Sequence, residues 1–496
     1  MDLERIAPFV SNLDRKVFAL FGLPEEVIAV LFAYYSRSRD DLRTNLARLL
    51  ADEELGIAGG SATQAAQAQD KARAFHEKWV VGYGHASVAE HAVVHLALED
   101  VSIVASKVIE DLRLGSFTEK STRYVVFDAR SFADLPELPP ELRSVYRASC
   151  EKLFGVYLEL QPRVEERVRE LAPKRPGQSD AAWNAAVRSH TCDLLRGLLP
   201  AGTLTNLGIT ANARAMAMLI SKMLSWPLDE VKRIAGDMRT EALVVAPTLL
   251  RHAARNDFRE AIAGDIAPAA AALQGAARRE EAAHVPVRLV QFDADAMERV
   301  VLALSYDCGE SADADARLQS LRAEPRDKLQ AVVDAAMLHR GAYDPAPRAF
   351  EASSVTVELE VDYGAYRDLQ RHRILTPLVR TLGCTLGAYV SEDLEAMGHG
   401  PRVKQALEEA RGAWERIASS HPFEAQYAVP LAYRVRTLWT LNLRELFHVI
   451  ELRSGKQGHA SYRRVAQELY RAVVAVHPWL AKLIRADMES YRLARE

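Results

Sequence analysis

The chain has 496 residues, and its 63 Lys and Arg nearly balance 67 Asp and Glu, which gives a formal net charge of −4. This length allows several domains with large buried cores. A polyanion-binding protein usually carries a basic excess, so a nucleic acid polymer is not an expected partner. No apolar run approaches the roughly 18 residues of a membrane span, and the first residues lack the pattern of a signal peptide. We expect a cytoplasmic protein that does not contact membranes.

The elements predicted from hydrophobic spacing are mixed, and helices predominate. The predicted helices are 24–37, 141–171, 296–306 and 403–419, and the predicted short strands are 124–127, 287–292 and 355–361. The Pro-rich stretch 135–142 is predicted to be a loop that leads into a helix. The sequence therefore predicts a helix-rich α+β protein with small antiparallel sheets.

Three landmarks recur in the same order in the two halves of the chain. The helical segment 24–37 resembles 296–306. The segment 199–223 resembles 429–453, because both have a proline near the start and then Asn-x-Arg opening an amphipathic helix. The third landmark pairs 84–124 with the stretch that contains an Arg-His-Arg triplet. We therefore predict two tandem modules, 1–275 and 286–496, with a boundary near 265–286 and a helical insertion at about 140–195 in the first module.

The four cysteines are far apart and form no CxxC motif. They are Cys150, Cys192, Cys308 and Cys384. In a chain of this size such cysteines are predicted to be buried free thiols rather than disulfide or zinc ligands. Cys384 follows the basic triplet closely, but a buried thiol is favoured over a catalytic nucleophile there.

The segment 84–91 reads GHASVAEH and contains the pattern of a capping box, Ser87-x-x-Glu90. A helix start would explain these two residues, whereas the flanking His85 and His91 leave a binding site open as the alternative. His91 and His95 have the spacing of metal ligands on a helix, but the corresponding part of the second module is a predicted strand. On a strand the two residues would be about 13 Å apart, so no metal site is expected.

The segment 116–124 places hydroxyl groups, a carboxylate and a guanidinium close together in Ser116, Glu119, Ser121 and Arg123. Hydroxyl and backbone N–H groups can surround a phosphate, and an arginine can bind it through two parallel hydrogen bonds. The alternative is an ordinary polar loop with a further capping box from Ser116 to Glu119.

The second module carries Arg371-His372-Arg373, which concentrates positive charge after a predicted strand. Such a triplet could bind a pyrophosphate or an electron-rich ring, and we favour this over a solvated basic cluster. Asn-x-Arg opens a helix in each module, at Asn212 and Arg214 and again at Asn442 and Arg444. Asparagine is a good helix N-cap, so these pairs have a structural explanation as well as a functional one.

Taken together, GHxSxxEH, SxxxxSxRY and the later Asn-x-Arg resemble the flavin-dependent thymidylate synthase family, whose central motif is RHRxxSxxxxSxR. The first module keeps the serines and the final arginine but has Asp111-Leu112-Arg113 in place of the triplet. The second module keeps the triplet and has Thr376 in the first serine position, but it has Thr381 and Gly383 in place of the last serine and arginine. The two modules thus divide one motif between them.

The resemblance implies a bound FAD that is reduced by NADPH and transfer of a one-carbon unit from methylenetetrahydrofolate to C5 of dUMP, without an attacking cysteine. It implies catalytic roles for Ser121, Arg123 and Arg373 and substrate binding by Ser116, Glu119, Ser121, Arg123 and Arg463. It implies cofactor binding by His85, Asn212, Arg214, Arg371, His372, Arg373, Asn442 and Arg444.

Because the family is homotetrameric with sites at subunit interfaces, two modules per chain imply a homodimer that forms a pseudo-tetramer with composite sites. The alternatives are a flavoenzyme acting on another pyrimidine or nucleotide, and a non-catalytic protein that binds a nucleotide or flavin.

Overall fold

The computed structural model describes residues 3–36, 38–51, 86–273, 284–308 and 313–491. The helices are α1 Leu3–Ile6, α2 Glu25–Tyr35, α3 Leu42–Ala51, α4 Ile103–Ile109, α5 Pro140–Leu171, α6 Asp180–Leu195, α7 Ala213–Leu224, α8 Asp229–Val245, α9 Asp257–Leu273, α10 Ala296–Leu304, α11 Ala314–Ala323, α12 Arg326–Met337, α13 Tyr363–Leu369, α14 Glu392–Ala396, α15 Gly400–Ala418, α16 Leu443–Ser454 and α17 Ala460–Val476. The strands are β1 Val93–Ser102, β2 Ser116–Glu119, β3 Leu204–Asn212, β4 Val287–Phe292, β5 Ser354–Asp362, β6 Thr376–Val379 and β7 Arg434–Asn442. The predicted helix-rich α+β class is confirmed.

The chain forms two compact units that do not follow the two sequence modules. The first unit comprises 1–101, 105–120 and 205–277, and the second comprises 102–104, 121–204 and 278–496. Residues 121–204 of the first sequence module therefore join the unit that contains the second module. The modules 1–275 and 286–496 stay a prediction about sequence repetition.

The first unit contains a three-stranded sheet in the order β1-β3-β2. β2 pairs antiparallel with β3, and Ser116 lies opposite Thr210. Alternate residues of β3 are buried, which is the pattern of a strand with one face on a core. A separate apolar cluster in this unit joins the first three helices through side chains such as Ile6, Leu31 and Leu46.

The second unit contains a four-stranded antiparallel sheet in the order β4-β5-β7-β6. In β5 and β7, alternate side chains are buried, and Trp439 at the centre of β7 is fully buried. The long helix α5 packs against α15, with an ion pair between Arg402 and Glu159 at 3.1 Å. Gly202 lies against the buried side chain of Tyr146 and leaves no space there for a Cβ atom.

Corresponding segments of the two modules pair with each other in the second unit. Pro200 and Pro430, which the sequence comparison aligns, form an antiparallel bridge. The hydrogen bonds around them are reciprocal: Ala201 N–H donates to the carbonyl of Val429 at 2.8 Å, and Leu431 N–H donates to that of Leu199 at 2.9 Å. This is the pattern expected of two equivalent segments related by a local two-fold axis.

The same correspondence extends to the strands and caps. Thr376 of β6 lies opposite Thr440 of β7, two residues before Asn442, just as Ser116 lies opposite Thr210, two residues before Asn212. Each asparagine accepts a hydrogen bond of 2.8 Å from a backbone N–H in the first turn of its helix, α7 or α16. Both predicted helix starts are therefore confirmed.

The individual element predictions are mostly confirmed, and some are wrong. The helices predicted at 141–171 and 403–419 and the strands predicted at 287–292 and 355–361 are present. The strand predicted at 124–127 is wrong, because a turn at 122–124 follows β2 and the chain then continues irregularly. Strand β2 precedes it at 116–119, so the capping box proposed for Ser116 and Glu119 is also wrong.

The capping box at Ser87 and Glu90 does not open an α-helix. Residues Ala86–Glu90 form a short 3-10 helix, and strand β1 begins three residues later. Three of the four cysteines are buried as predicted, but Cys308 is exposed, because it lies in the irregular segment after α10. Gly84, His85 and much of the predicted boundary, 274–283, lie outside the described residues. In the part of the chain that the structure describes, no helix is both long and apolar enough to cross a membrane.

Candidate functional site

The candidate site begins at a tight turn after β2, where the chain enters the second compact unit. Ser121 accepts hydrogen bonds at this turn: its Oγ accepts from the backbone N–H of Arg123 at 3.1 Å, and its carbonyl accepts from Val125 N–H at 3.1 Å. Thr122 is buried, and its Oγ1 accepts a hydrogen bond of 3.3 Å from Arg367 of α13. Ser121 therefore shapes the turn that directs Arg123.

The Arg123 guanidinium is held on all three nitrogens. Its Nε and Nη2 donate to the two carboxylate oxygens of Asp193 at 2.8 and 2.9 Å, and its Nη1 donates to the Tyr462 hydroxyl at 3.0 Å. Only 11% of the Arg123 side chain and 12% of the Asp193 side chain are exposed. Burial alone would lower the pKa of Arg123, but the charges of Asp193, Tyr462 and Asp368 and the hydrogen bonds to Asp193 together outweigh this effect and raise it. The result is a buried bidentate ion pair.

A second carboxylate, Asp368 at the end of α13, joins arginines from both sequence modules. Arg196 Nη1 donates to it at 3.1 Å, and 4% of the Arg196 side chain is exposed. Burial opposes ionisation of Asp368, but the charges of Arg196, Arg123 and Arg371 lower its pKa well below its ordinary value. An ionised Asp368 therefore lies among Arg123 and Arg196 of the first module and Arg371 of the triplet. We call Arg123, Asp193, Arg196, Asp368 and Tyr462 the charge cluster.

The central residue of the triplet, His372, is buried, and its side chain is 1% exposed. Its Nε2 accepts from Arg453 Nε at 2.8 Å, so the proton lies on Nδ1, which donates to Glu445 Oε1 at 3.2 Å. Burial, together with the charge of Arg453 and the nearby His448, holds the pKa of His372 well below its ordinary value. His372 is thus a neutral ring with both nitrogens bound to protein groups. Arg371 is exposed and Arg373 half-buried.

Next to the charge cluster, polar side chains join the N-termini of α13 and α17. Asp362 caps α13 by accepting from Ala365 N–H at 2.8 Å, and its other oxygen accepts from the Ser461 hydroxyl. His459 caps α17 by accepting from Ser461 N–H at 3.2 Å. Burial and the charges of Arg196 and Arg123 lower the pKa of His459 well below its ordinary value, so this ring is neutral.

A cleft of about 690 Å³ in the second unit reaches this region, and Asp193, His459 and Arg463 contribute to its walls. Its acidic lining residues are Asp193, Glu360, Asp362, Glu392, Asp393, Glu468 and Glu489, and its lining arginines are Arg434, Arg463, Arg464 and Arg471. Carboxylates therefore outnumber arginines among the described residues that line the cleft. Arg463 is buried, and its Nη2 donates to the carbonyl of Tyr491 at 2.8 Å.

Comparison with known proteins decides the family. The family model described as thymidylate synthase complementing protein matches residues 31–248 and again 288–479. A UPF0159 protein of Chlamydia muridarum is 35% identical over 96% of this chain and 92% of its own length, and one from Thermoplasma acidophilum is 31% identical over 86% and 91%.

The chain belongs to the thymidylate synthase complementing protein family. A flavin-dependent thymidylate synthase of Mycolicibacterium gilvum is 27% identical over 177 residues, which are 35% of this chain and 67% of that protein. The resemblance to flavin-dependent thymidylate synthases that was predicted from the motifs is therefore confirmed at the level of the family.

The motif residues predicted for this family member fall in different compact units. Ser116 and Glu119 lie on β2 in the first unit, where Glu119 accepts from the Ser106 hydroxyl at 2.8 Å and lies 3.5 Å from Lys107. Ser121 and Arg123 belong to the second unit, as does Arg463. The predicted phosphate-binding run is thus divided at residue 120.

The predicted Asn-x-Arg pairs have clear structural roles in both units. Besides the caps already described, Arg214 donates to Glu90 at 2.6 Å in the first unit. In the second unit, Arg444 donates to Glu351 and to the carbonyl of Ala346, both at 2.8 Å. No group of three or more His, Cys, Asp or Glu residues that could hold a metal occurs among the described residues.

None of the four partners of Arg123 in the charge cluster was predicted as a site residue from the sequence. Asp193 lies in the predicted helical insertion of the first module, Arg196 lies directly after it, and Tyr462 lies beyond the second Asn-x-Arg. Asp368 is three residues before the triplet, which is a local signal that could have identified it. The others are distant in sequence from Arg123, so only the fold brings them together.

Proposed function

We propose that this protein is a flavin-dependent thymidylate synthase-type methyltransferase that converts dUMP to dTMP with methylenetetrahydrofolate and NADPH. The observation that carries the proposal is the charge cluster. Arg123 belongs to the motif half retained in the first module, and Arg371 to the half retained in the second, and both charges act on Asp368. The cluster supports one composite site to which both modules contribute.

FAD is the cofactor of this proposal, and the exposed side of the triplet suits its pyrophosphate. Arg371 and Arg373 both reach the surface, and a planar guanidinium binds phosphate oxygens through paired hydrogen bonds. His372 is buried with both nitrogens engaged, so it would position the triplet by binding Glu445 and Arg453 rather than contact FAD. When bound, FAD would supply the hydride chemistry, with NADPH as the source of reducing equivalents.

The protein's own groups would bind and orient the pyrimidine. Ser121 fixes the turn that presents Arg123, and the ionised Asp368 fixes Arg196 beside it. Arginines held in a water-poor cluster stabilise negative charge that develops on a substrate, because they need no reorganisation when the charge appears. We assign this role to Arg123 of the charge cluster and, outside the cluster, to the half-buried Arg373 of the triplet. We assign nucleotide binding in the cleft to Arg463.

The deciding assay is the release of tritium from C5-labelled dUMP in the presence of methylenetetrahydrofolate and NADPH. Flavin content, read from the absorbance of purified protein, is measured beside it. Losing a charge-assisted contact weakens binding by roughly ten- to hundred-fold, so Arg371→Ala and Arg373→Ala should yield much paler protein. Asp111→Ala, at the corresponding position of the first module, is the matched control and should retain the colour. Equal flavin content in all three variants would contradict the cofactor assignment.

Two observations favour a second candidate, a flavoenzyme that acts on a pyrimidine without a phosphate. Arg123 is already bound to Asp193, and carboxylates outnumber arginines among the described residues that line the cleft. Both features oppose binding of a dianion. Tritium release from labelled deoxyuridine, with none from dUMP, would establish this candidate over the first.

We also propose that the protein is a homodimer, since two chains supply the four modules of the family's tetramer. Light scattering on the flavin-loaded protein tests the proposal. A stable monomer of 55 kDa that retains flavin would contradict it.

A further inference from the structure

The pair of Arg123 and Asp193 has the geometry that an arginine offers to an external anion. A guanidinium binds a carboxylate or a phosphate in the same way, through two parallel N–H donors and two oxygens. Here Nε and Nη2 meet the two oxygens of Asp193 at 2.8 and 2.9 Å. The Asp193 carboxylate thus occupies the position at which two oxygens of a ligand phosphate would bind.

The third nitrogen of Arg123 is also engaged, and it fixes the direction of the guanidinium. Nη1 donates to the Tyr462 hydroxyl at 3.0 Å, and the guanidinium carbon lies 5.6 Å from the centre of the Tyr462 ring. Asp193 contributes to the wall of the cleft, which Arg123 does not. Asp193 is therefore the member of the pair that lines the cleft.

The corresponding position in the second module is closed as well, by a different side chain. Gly383 occupies the place of the motif arginine, and a Cβ atom added there would lie 2.8 Å from the Trp414 ring of α15. Trp414 belongs to the helix before β7, as Asp193 belongs to the helix before β3. In both modules, then, a side chain of the preceding helix lies against the residue at the motif-arginine position.

We propose that Asp193 occupies the anion-binding position of Arg123, so that a phosphate binds there only by replacing this carboxylate. Asp193 is then a specificity-determining residue, because its pair with Arg123 must open before dUMP or any other phosphorylated ligand binds at this position. The proposal rests on the proposed function in one respect, namely that the cleft beside Asp193 receives the substrate. It concerns phosphate chemistry alone and does not depend on turnover.

The test compares Asp193→Asn with the wild-type protein and with Glu451→Gln. Glu451 also forms a bidentate pair in the second unit, with Arg340 at 2.9 and 2.7 Å, so its variant controls for the loss of a carboxylate paired with an arginine. Calorimetric titration with inorganic phosphate and with dUMP should show at least about ten-fold tighter binding to Asp193→Asn than to the other two proteins. Adding Arg123→Gln to Asp193→Asn should abolish the gain.

A melting curve of Asp193→Asn, recorded in phosphate and in chloride at equal ionic strength, shows whether the variant folds. If Asp193→Asn is unstable, phosphate should restore its melting temperature more than chloride does. The proposal is overturned if folded Asp193→Asn binds phosphate no better than wild type, or if phosphate and chloride restore it equally. Tritium release by the wild-type protein is measured separately, so failure of the proposed function is distinguished from failure of this inference.

Discussion

Segments 116–123 and 376–383 begin alike and end differently. Each starts as a strand whose first residue lies opposite a threonine, Thr210 or Thr440, two positions before the asparagine that caps the next helix. Seven residues later, one segment presents Arg123 to Asp193, and the other places Gly383 against the Trp414 ring. Backbone pairing has thus been kept while the chemistry at the end of the segment has been replaced.

The difference shows which part of the motif the fold requires. Strand register and the asparagine caps serve the backbone in both units, because each satisfies hydrogen-bonding groups that would otherwise be left unpaired at a strand edge or helix start. The arginine has no such general role. Arg123 is present in the first segment, where Asp193 pairs with it. In the second segment the Trp414 ring fills the corresponding space, and no arginine is present.

The largest expected effect comes from removing the charge at position 123. Arg123→Ala leaves the Asp193 carboxylate buried without its bidentate partner, and breaking a buried pair from one side costs about 3–5 kcal/mol. We expect this loss in the free energy of unfolding measured with urea. The double variant Arg123→Ala with Asp193→Ala should be more stable than Arg123→Ala alone, since no unpaired charge remains. Equal stability of Arg123→Ala and wild type would mean that the pair contributes nothing to the fold.

Much of the backbone arrangement could be predicted from the sequence, because it depends on local patterns. The alternation from Val355 to Val361 predicted β5, and the repeated Asn-x-Arg predicted both helix starts. Two local predictions of a helix cap failed. Strand pairing overrides the cap preference at Ser116, whereas the residues around Ser87 form a short 3-10 helix and not the start of an α-helix.

The charge cluster could be predicted only in part. Arg123 and the triplet were recognisable because they match a known motif, whereas Asp193 and Tyr462 carry no local signal. These two lie 70 and 339 positions from Arg123, and their roles depend on how helices α6 and α17 pack. The division of the chain after residue 120 was equally hidden, since compactness follows from contacts and not from sequence repetition.

The next largest effect is the pH dependence of stability that arises from His190 near Arg123. Burial, together with the charge of Arg123, lowers the pKa of His190 on α6 from 6.5 to about 4. Between these values the unfolded chain binds a proton that the folded protein does not, so the free energy of unfolding falls as the pH decreases. The penalty from His190 is on the order of 3 kcal/mol; it is absent above about pH 6.5 and reached in full below about pH 4.

His190→Gln should reduce that fall when urea unfolding is compared at the two ends of this pH range. In Arg123→Ala, NMR titration should show the His190 pKa moving toward its ordinary value, because one of the two causes of its depression is gone. An unchanged His190 pKa in that variant would show that burial alone is responsible.

A smaller effect is expected from restoring a side chain at the second segment. Gly383→Ala forces a Cβ atom against Trp414, and such overpacking costs about 1–3 kcal/mol. Gly412→Ala on the same helix as Trp414 is the matched control, because nothing lies within 4 Å of the added atom. Helix propensity should make that control neutral or slightly stabilising. If both variants melt at the wild-type temperature, the Trp414 ring does not fill the space beside Gly383.

The smallest effects separate the structural and ligand-binding roles of the asparagines. Asn212→Ala and Asn442→Ala should each lose about 1 kcal/mol, since each removes the side-chain oxygen that caps a helix. Aspartate retains that oxygen and caps equally well, so Asn212→Asp and Asn442→Asp should unfold close to wild type.

Aspartate lacks the amide donor of asparagine, and a cofactor bound through that donor would be lost. We expect all four variants to retain flavin if the asparagines serve only as caps. Loss of colour in Asn442→Asp with unchanged stability, while Asn212→Asp stays yellow, would instead assign cofactor binding to the second module alone.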